Sequence, residues 1–201
     1  MSRTENDQRV RLTKMIIKKT FVEILQKKPL KKVTVREICD LASINRGTFY
    51  NHYVDAFDLM EQMITELLTA ARNVLTSQKN SWEDNNYTLC YNLFSLIKEN
   101  KAFVWVLLKD HTDDSLANRF VRFSKEEFFA KYKDMVGEND MPLLDSFFLF
   151  ATGGCFALLR RWFENNTESS TEALSRECGN LISFGWTHLQ QKFGWPTPKP
   201  N

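Results

Sequence analysis

Polar side chains able to donate and accept hydrogen bonds are concentrated in one ten-residue stretch, INRGTFYNHY at 44–53. The stretch contains guanidinium, hydroxyl, amide, imidazole and phenol groups, and few residues that a core would bury. Such groups bind base edges and phosphates, which is the chemistry of reading duplex DNA. We interpret the stretch as a DNA-contacting surface; the alternative is a polar surface helix with no partner.

The charge of the chain is divided unevenly around this stretch. Residues 1–54 carry 12 Lys+Arg and 5 Asp+Glu, a net charge of +7, whereas residues 55–201 carry 15 and 20, a net charge of −5. A basic head on an acidic body indicates a polyanionic partner for the head. Chance clustering of charge on a solvated face is the other explanation.

Residues 8–27 are predicted to form the helix that braces this region. Apolar residues recur there every three to five positions, so they should line one buried stripe. Pro29 ends the helix because its ring disfavours helical backbone in the residue before it. The predicted stripe contains Leu12, Ile16, Phe21, Ile24 and Leu25.

Two short helices are predicted to follow, joined by a tight turn at 43–45. Thr34 should open the first in a capping box, in which its hydroxyl accepts from the Glu37 amide and Glu37 reaches back. Asn45 is suited to cap the second helix, RGTFYNHY. A long helix followed by two short ones in this arrangement is typical of a helix-turn-helix unit.

The second short helix is predicted to turn Phe49 and Tyr53 inward, because they lie four residues apart. Gly47 has no side chain, so the backbone can approach DNA closely there. The hydroxyls of Thr34 and Tyr50 can bind phosphates, the former at a helix N-terminus whose free amides favour anions. The outer arc is left to Arg46, Thr48, Tyr50, Asn51 and His52.

These pieces together resemble the DNA-binding domain of TetR-family transcriptional regulators. The similarity covers about residues 9–58 and is carried by TVREICDLASINRGTFYNHY followed by DAFDLM. It implies a homodimer that binds a palindromic operator in double-stranded DNA. Matched position by position, it implies phosphate or base contacts from Thr34, Arg36, Arg46, Gly47, Thr48, Tyr50, Asn51 and His52.

Two positions depart from the family pattern. Ser43 occupies the turn where the family usually has glycine, so this turn must tolerate a side chain. Ala56 stands where a lysine usually begins the fourth helix and touches phosphate, which puts that backbone contact in question.

The remaining sequence predicts further helices and no strand, and therefore an all-α fold. Helices are expected at about 56–78, 87–99, 101–110, 116–136, 141–165 and 171–193, the first capped by Asp55, with a polar loop at 79–86. We divide the chain into a three-helix helix-turn-helix DNA-binding domain, residues 1–54, and a helical ligand-binding and dimerisation domain, residues 55–201.

The cysteines and the termini bear on cellular location. Cys39, Cys90, Cys155 and Cys178 include no CxxC pair, which fits buried thiols in a reducing cytosol better than disulfides or zinc. The N-terminus is polar and shows no signal peptide. The most apolar stretch, 147–159, is too short to span a bilayer and fits a buried helix. We expect a cytoplasmic protein with no membrane contact.

The resemblance also implies that the second domain dimerises and often holds an inducer. Gly153 and Gly154 would let two helices approach closely, but an ordinary core gives the same apolar pattern as a dimer interface. The expected interface residues are Phe147, Phe150, Ala151, Gly154, Leu158, Trp162, Leu181, Ile182, Gly185, Trp186 and Leu189.

An inducer pocket is the second expectation for this domain, although aromatic residues at helical spacing more often form a plain core. His111, beside two aspartates, could contact a ligand or metal, but a polar loop explains it more simply. The expected lining is Phe94, Phe103, Trp105, His111, Phe128 and Trp162.

We therefore predict a sequence-specific transcriptional regulator, favouring a repressor that a small ligand releases from DNA. NKAFVWVLLKD and LLRRWFENN resemble a TetR subgroup typified by the dihydroxyacetone kinase operon activator. A regulator or activator controlled by a protein co-regulator is therefore the alternative. A helical enzyme is the alternative from another class, but no catalytic motif, cofactor site or metal site is predicted.

Overall fold

The computed structural model describes residues 3–77, 86–109, 115–165 and 170–194. Within these ranges the chain is helical, with three short 3-10 helices and no β-strand, which confirms the all-α fold class. The α-helices are α1 (Arg3–Leu25), α2 (Val35–Ala42), α3 (Arg46–Tyr50), α4 (Ala56–Ser77), α5 (Asn86–Glu99), α6 (Lys101–Leu107), α7 (Leu116–Tyr132), α8 (Met141–Glu164) and α9 (Thr171–Phe193).

The chain forms two compact units, Met1–Leu68 and Thr69–Asn201. The first unit contains α1 to α3 and the first part of α4, and the second contains the end of α4 and α5 to α9. The domain boundary between residues 54 and 55 falls at the turn before α4 and remains a prediction.

Side chains from four helices meet in the core of the first unit. Ile17 and Phe21 of α1, Ile38 of α2, Phe49 of α3 and Leu59 of α4 are all 0% exposed. Full burial of an apolar side chain of this kind stabilises a fold by about 1.5–3 kcal/mol. These five residues therefore fix the short helices α2 and α3 against the longer ones.

The predicted stripe on α1 is partly wrong. Leu12 and Ile16 are 52% and 36% exposed, whereas Ile17, absent from the predicted stripe, is fully buried. The buried face begins at Ile17 and continues at regular helical spacing through Phe21 to Leu25. Leu12 and Ile16 lie outside that face.

Helix α3 is shorter than the predicted helix at 46–53. It ends at Tyr50, and Asn51 forms its C-cap. The chain nevertheless keeps turning, because the Tyr53 amide donates to the Phe49 carbonyl at 3.0 Å. Phe49 and Tyr53 face inward at 0% and 2% exposure, as predicted.

Helix α9 packs against both α5 and α8 in the second unit. A Cβ atom added at Gly179 would lie 3.0 Å from the Tyr87 nitrogen, so α5 and α9 approach backbone to backbone. Asn86 donates a hydrogen bond to Ser183 Oγ at 3.0 Å along the same contact. On the α8 side, a Cβ atom added at Gly185 would lie 2.8 Å from the Phe147 ring.

Aromatic rings from three helices fill the interior of the second unit. Phe128 of α7 packs on Phe148 of α8 with ring centroids 5.3 Å apart. Tyr132 of α7 packs on Trp186 of α9 at 4.9 Å. Tyr132, Phe148 and Trp186 are at most 2% exposed, so this cluster is the hydrophobic core that joins α7, α8 and α9.

The most apolar helix of the chain is poorly covered within its own unit. The helical segment Glu138–Glu164 is long and apolar enough to cross a membrane by length and composition, and 22% of its most apolar window is buried. The expectation of a buried helix at 147–159 is therefore wrong for much of its surface. Leu149 and Phe150 are 50% and 78% exposed.

Replacing Gly179 by alanine should destabilise the second unit. The new methyl group would meet backbone atoms of Asn86 and Tyr87 at 3.0–3.3 Å, and these atoms cannot move aside unless α5 shifts. We expect the free energy of unfolding, measured by denaturant titration, to fall by about 1–3 kcal/mol.

Gly185→Ala is the matched control for this substitution. Its methyl group would meet ring atoms of Phe147, and a side chain can rotate away more easily than a backbone. The loss of stability should therefore be smaller than for Gly179→Ala. Unchanged stability in Gly179→Ala would contradict the close contact of α5 with α9.

Candidate nucleic-acid interface

The N-terminus of α2 is capped by Thr34, as predicted. Thr34 Oγ1 accepts a hydrogen bond from the Glu37 amide at 3.3 Å. The prediction that Glu37 reaches back is wrong, because its carboxylate binds Lys28 Nζ at 2.5 Å. The Thr34 oxygen acts as acceptor in the cap, so its hydroxyl proton can still be donated to a phosphate.

The N-terminus of α3 is capped by Asn45, also as predicted. Asn45 Oδ1 accepts from the Thr48 amide at 2.7 Å and from the Thr48 hydroxyl at 3.0 Å. A Cβ atom added at Gly47 would lie 3.3 Å from the same oxygen, so the glycine also leaves room for the cap. Because its hydroxyl proton is used within the chain, Thr48 offers a partner its methyl group and its oxygen lone pairs.

The turn between α2 and α3 places a serine in a backbone conformation that favours glycine. Ser43 has φ 53° and ψ 43°, and it is the one non-glycine residue with positive φ in the described ranges. The left-handed conformation costs a residue with a Cβ atom roughly 1–2 kcal/mol. The turn is closed by a hydrogen bond from the Ile44 amide to the Cys39 carbonyl at 3.0 Å.

The polar residues of α3 lie on the surface of the first unit. The rings of Phe49 and Tyr53 pack together beneath them, with centroids 5.6 Å apart. Tyr50 packs edge-on against Phe49 at 5.7 Å yet stays 57% exposed, so its hydroxyl is presented on a braced ring. Of the other predicted contact residues, Thr34, Arg36, Arg46, Gly47 and Asn51 are exposed, and Thr48 and His52 are half-buried.

A basic residue of α1 lies beside this surface. Burial, and then the nearby Lys14 ammonium, lower the pKa of His52 from its ordinary value, which favours the neutral imidazole. Lys18, one turn further along α1, forms an ion pair with Glu66. The sequence alone does not place Lys14 at this surface, because helical spacing does not tell which lysine of α1 lies near α3.

The turn into α4 is held by two aspartates. Asp55 Oδ1 accepts from the amides of Phe57 and Asp58 at 2.8 Å each, which confirms the predicted cap. Asp58 in turn accepts from the Val54 amide at 2.8 Å, and this bond lowers the pKa of Asp58. Ala56 is 4% exposed. The phosphate contact that a lysine usually makes from this position in the family is therefore not available to this chain.

Residues of the predicted inducer pocket occur in two aromatic clusters of the second unit. Trp105 stacks on Phe163 with centroids 5.3 Å apart, and Trp162 packs edge-on against the same ring at 5.4 Å. Phe128 belongs to the cluster around Phe148. Phe94, Phe103, Phe128 and Trp162 are buried, Trp105 is half-buried, and His111 lies outside the described residues.

The residues of the predicted dimer interface differ widely in exposure. Phe150 and Leu181 are 78% and 56% exposed, and a Cβ atom added at Gly154 would meet nothing within 4 Å. Phe184, which the prediction omitted, is 77% exposed. The other members lie largely inside the unit: Phe147, Ala151, Trp162, Ile182, Trp186 and Leu189 are buried, and Leu158 and Gly185 are half-buried.

Comparison with known sequences identifies similar regulators. A TetR-type family model described as "Transcriptional regulator C-terminal region" matches residues 84–184, half of the chain. The chain is also 21% identical over 188 residues to YxbF of Bacillus subtilis strain 168, an uncharacterized HTH-type transcriptional regulator. The alignment covers 89% of this chain and 45% of YxbF, so the chain spans less than half the length of this relative.

Two solved structures share the fold. A protein of Clostridium perfringens, named as a candidate fatty acid metabolism regulator, matches with a TM-score of 0.60 and 20% identity over 85% of this chain and 97% of its own. The dihydroxyacetone kinase operon activator DhaS matches with a TM-score of 0.52 and 16% identity over 85% and 93%. At these identities the likeness concerns the fold alone.

Replacing Ser43 by glycine should stabilise the first unit, because glycine adopts the left-handed conformation without steric cost. We expect the free energy of unfolding to rise by about 1 kcal/mol, the relief of strain being reduced by the greater freedom of glycine in the unfolded chain. Ser43→Ala keeps the Cβ atom and should show no such gain. A glycine variant less stable than the alanine variant would show that the turn is not strained.

Proposed function

Because this chain belongs to the TetR family of transcriptional regulators, we propose that it is a dimeric repressor that binds a palindromic operator from the cytoplasm. The family consists of DNA-binding regulators and not of enzymes. The observation that carries the proposal is the exposed polar side of α3. This side is available to a partner because Phe49, 0% exposed, anchors the helix from behind.

Helix α3 is the element that we place in the major groove. Arg46, exposed at its start, can donate two parallel hydrogen bonds to O6 and N7 of a guanine, and Asn51 can bind N6 and N7 of an adenine. The methyl group of Thr48 suits a thymine methyl. Each good bidentate pair contributes about 1–3 kcal/mol of discrimination, so the choice of sequence resides in α3.

Phosphate contacts are assigned to the residues around α3. Thr34 lies at the N-terminus of α2, where backbone amides also favour anions. Arg36 is exposed, and its Nε lies 3.6 Å from Asp40 Oδ2. Lys14 is near His52. Neutralising phosphates releases counterions, so these contacts should make affinity fall as salt rises without changing the preferred sequence.

Two heads in successive major grooves require half-sites about 34–36 Å apart, or a multiple of that distance.

The exposed faces of α8 and α9 supply the dimer contact in this proposal. Arg161 and Glu177 pair at 2.9 Å across these two helices, so the sides that carry them are neighbours. Leu181 lies one turn from Glu177 on α9, and Phe184 and Phe150 are 77% and 78% exposed. Exposed apolar side chains that share one face of a protein mark interaction surfaces. We assign the dimer to this face and not to the buried members of the predicted interface.

A small apolar ligand is the effector that we favour. The second unit contains aromatic stacking such as Trp105 on Phe163, at 5.3 Å and 15°, and sites for small ligands are lined mainly by apolar and aromatic side chains. The ligand would release DNA by binding more tightly to the arrangement of the dimer that does not fit the operator.

Control by a protein co-regulator is the second candidate for regulation. It is favoured by the two segments that resemble the activator subgroup, NKAFVWVLLKD around Trp105 and LLRRWFENN around Trp162. A partner recovered from cells in stoichiometric amount, and required for the transcriptional effect, would select this candidate over a ligand-released repressor. A ligand that raises the Tm of the purified chain and releases the operator would select the repressor.

Replacing Arg46 by alanine should weaken operator binding about 5- to 150-fold, because one bidentate base contact is lost. The operator is first obtained by selecting bound duplexes from a random pool, and Kd is then measured by fluorescence anisotropy. Base preference should relax at one position of each half-site.

Two further variants separate base recognition from charge. Arg46→Lys keeps the charge but loses the planar fork, so it should keep the salt dependence and lose the base preference. Arg176→Ala removes the same charge from an exposed position of the second unit and should leave Kd unchanged. A folded Arg46→Ala protein with undiminished affinity would remove this residue from the interface.

Replacing Phe184 by aspartate should dissociate the dimer, because a carboxylate would enter an apolar contact. Truncating an aromatic anchor costs about 2 kcal/mol or more, so the dimer Kd should rise at least roughly 30-fold in sedimentation analysis. The helical content should not change, since the ring is 77% exposed.

Val54→Asp is the matched control for the dimer experiment. Val54 is 76% exposed but belongs to the first unit, so its variant should sediment like the unchanged protein. A dimer that survives Phe184→Asp intact would show that subunits associate through another face.

A further inference from the structure

Three cysteines meet inside the second unit. Cys90 lies on α5, Cys155 on α8 and Cys178 on α9. The Cys155 thiol lies close enough to the thiols of Cys90 and Cys178 for their interaction to shift the pKa of all three. All three are free thiols, and so is Cys39, which belongs to the first unit. We call Cys90, Cys155 and Cys178 the thiol cluster.

The packing of α5 on α9 independently brings two of these positions to one level. Tyr87 lies against Gly179, and Asn86 bonds to Ser183, so the two helices run in opposite directions. Cys90 lies about one turn beyond Tyr87 on α5, and Cys178 precedes Gly179 on α9.

The packing of α8 on α9 brings in the third position. Phe147 lies against Gly185 at one end of this contact, and Arg161 pairs with Glu177 at the other. Cys155 lies between Phe147 and Arg161 on α8. The antiparallel register therefore places it opposite the first turns after Glu177, at the level of Cys178.

Cys155 is the member of the cluster that an oxidant can reach. It is half-buried, whereas Cys90 and Cys178 are 4% and 1% exposed. It lies about 120–140° around α8 from Phe150 and Arg161, so it points away from the proposed dimer face. Hydrogen bonds from Cys178 and Cys90 hold the pKa of Cys155 well below its ordinary value. The thiolate form is the nucleophile in cysteine oxidation.

We propose that the thiol cluster is an oxidation site for hydroperoxides. The Cys155 thiolate attacks a peroxide oxygen, the O–O bond breaks, and the departing oxygen takes up a proton to leave as water or an alcohol. Cys155 is then a sulfenic acid. The Cys90 or Cys178 thiol attacks its sulfur, an S–S bond forms, the S–O bond breaks, and hydroxide leaves with the thiol proton as water.

The reaction balances as a two-electron transfer from two thiols to one peroxide, and an external dithiol reverses it. The resulting disulfide would tie α8 to a neighbouring helix, since bridged residues need Cα atoms about 4.4–6.8 Å apart. Helices α8 and α9 also carry the proposed dimer face. An effect of oxidation on operator affinity would therefore rest on the proposed function, whereas the thiol chemistry does not.

The test uses the reduced full-length chain and one equivalent of hydrogen peroxide. Free thiols are counted in denaturant, and disulfides are mapped by mass spectrometry. We expect two of the four thiols to disappear, a disulfide from Cys155 to Cys90 or Cys178 within one chain, and full recovery with dithiothreitol. Dimedone added with the peroxide should label Cys155 in the unmodified protein.

Two variants complete the experiment. Cys155→Ser should slow thiol loss at least tenfold, and Cys39→Ser should leave the rate unchanged. The dimedone labelling needs no substitution, so it decides the matter even if Cys155→Ser fails to fold. Retention of all four thiols, equal labelling of Cys39, or disulfides formed only between chains would overturn the proposal. None of these measurements involves DNA, so their failure is distinct from failure of the proposed operator binding.

Discussion

The burial of Phe49 in the first unit is the interaction on which the candidate interface depends. Helix α3 has only five residues, far fewer than the roughly 12–15 that an isolated helix needs in water. It keeps its shape because Phe49 is fully buried and because Asn45 caps the Thr48 amide. Arg46 and Asn51, by contrast, are exposed and take no part in this anchoring. Their chemistry can therefore vary without destabilising the fold, and a surface that reads DNA sequence requires this freedom.

Helix α9 has the corresponding role in the second unit. Its inner side packs on α5 at Gly179 and on α8 at Gly185, while Leu181 and Phe184 remain exposed on its outer side. The same helix carries Cys178, whose pKa is raised by the neighbouring, partly accessible Cys155. Dimer formation and thiol oxidation are thus assigned to different sides of one helix. A redox change in the cluster could reach the dimer through α9 without involving the residues that contact DNA.

Sequence alone predicted the features that neighbouring residues decide. The caps at Thr34, Asn45 and Asp55 are confirmed, because a cap needs only the next three residues. The outward arc of α3 follows likewise from the spacing of its buried rings. Partners that come from other helices were not predictable: Ile17 and not Ile16 faces the core, and cysteines of three helices meet. Apolar spacing marks a helical face but does not say whether the same subunit or another covers it.

The most direct test of the account is a map of where DNA touches the chain in solution. The full-length protein, labelled with 15N, is titrated with the duplex enriched from a random pool, and its amide resonances are followed by NMR. We predict that the largest shifts fall at residues 34–36 and 46–52, with contacts from the Arg46 side chain to a base edge in the major groove. The account would be contradicted if residues 46–52 stayed unshifted while the enriched duplex bound elsewhere, or if no duplex were enriched over the pool.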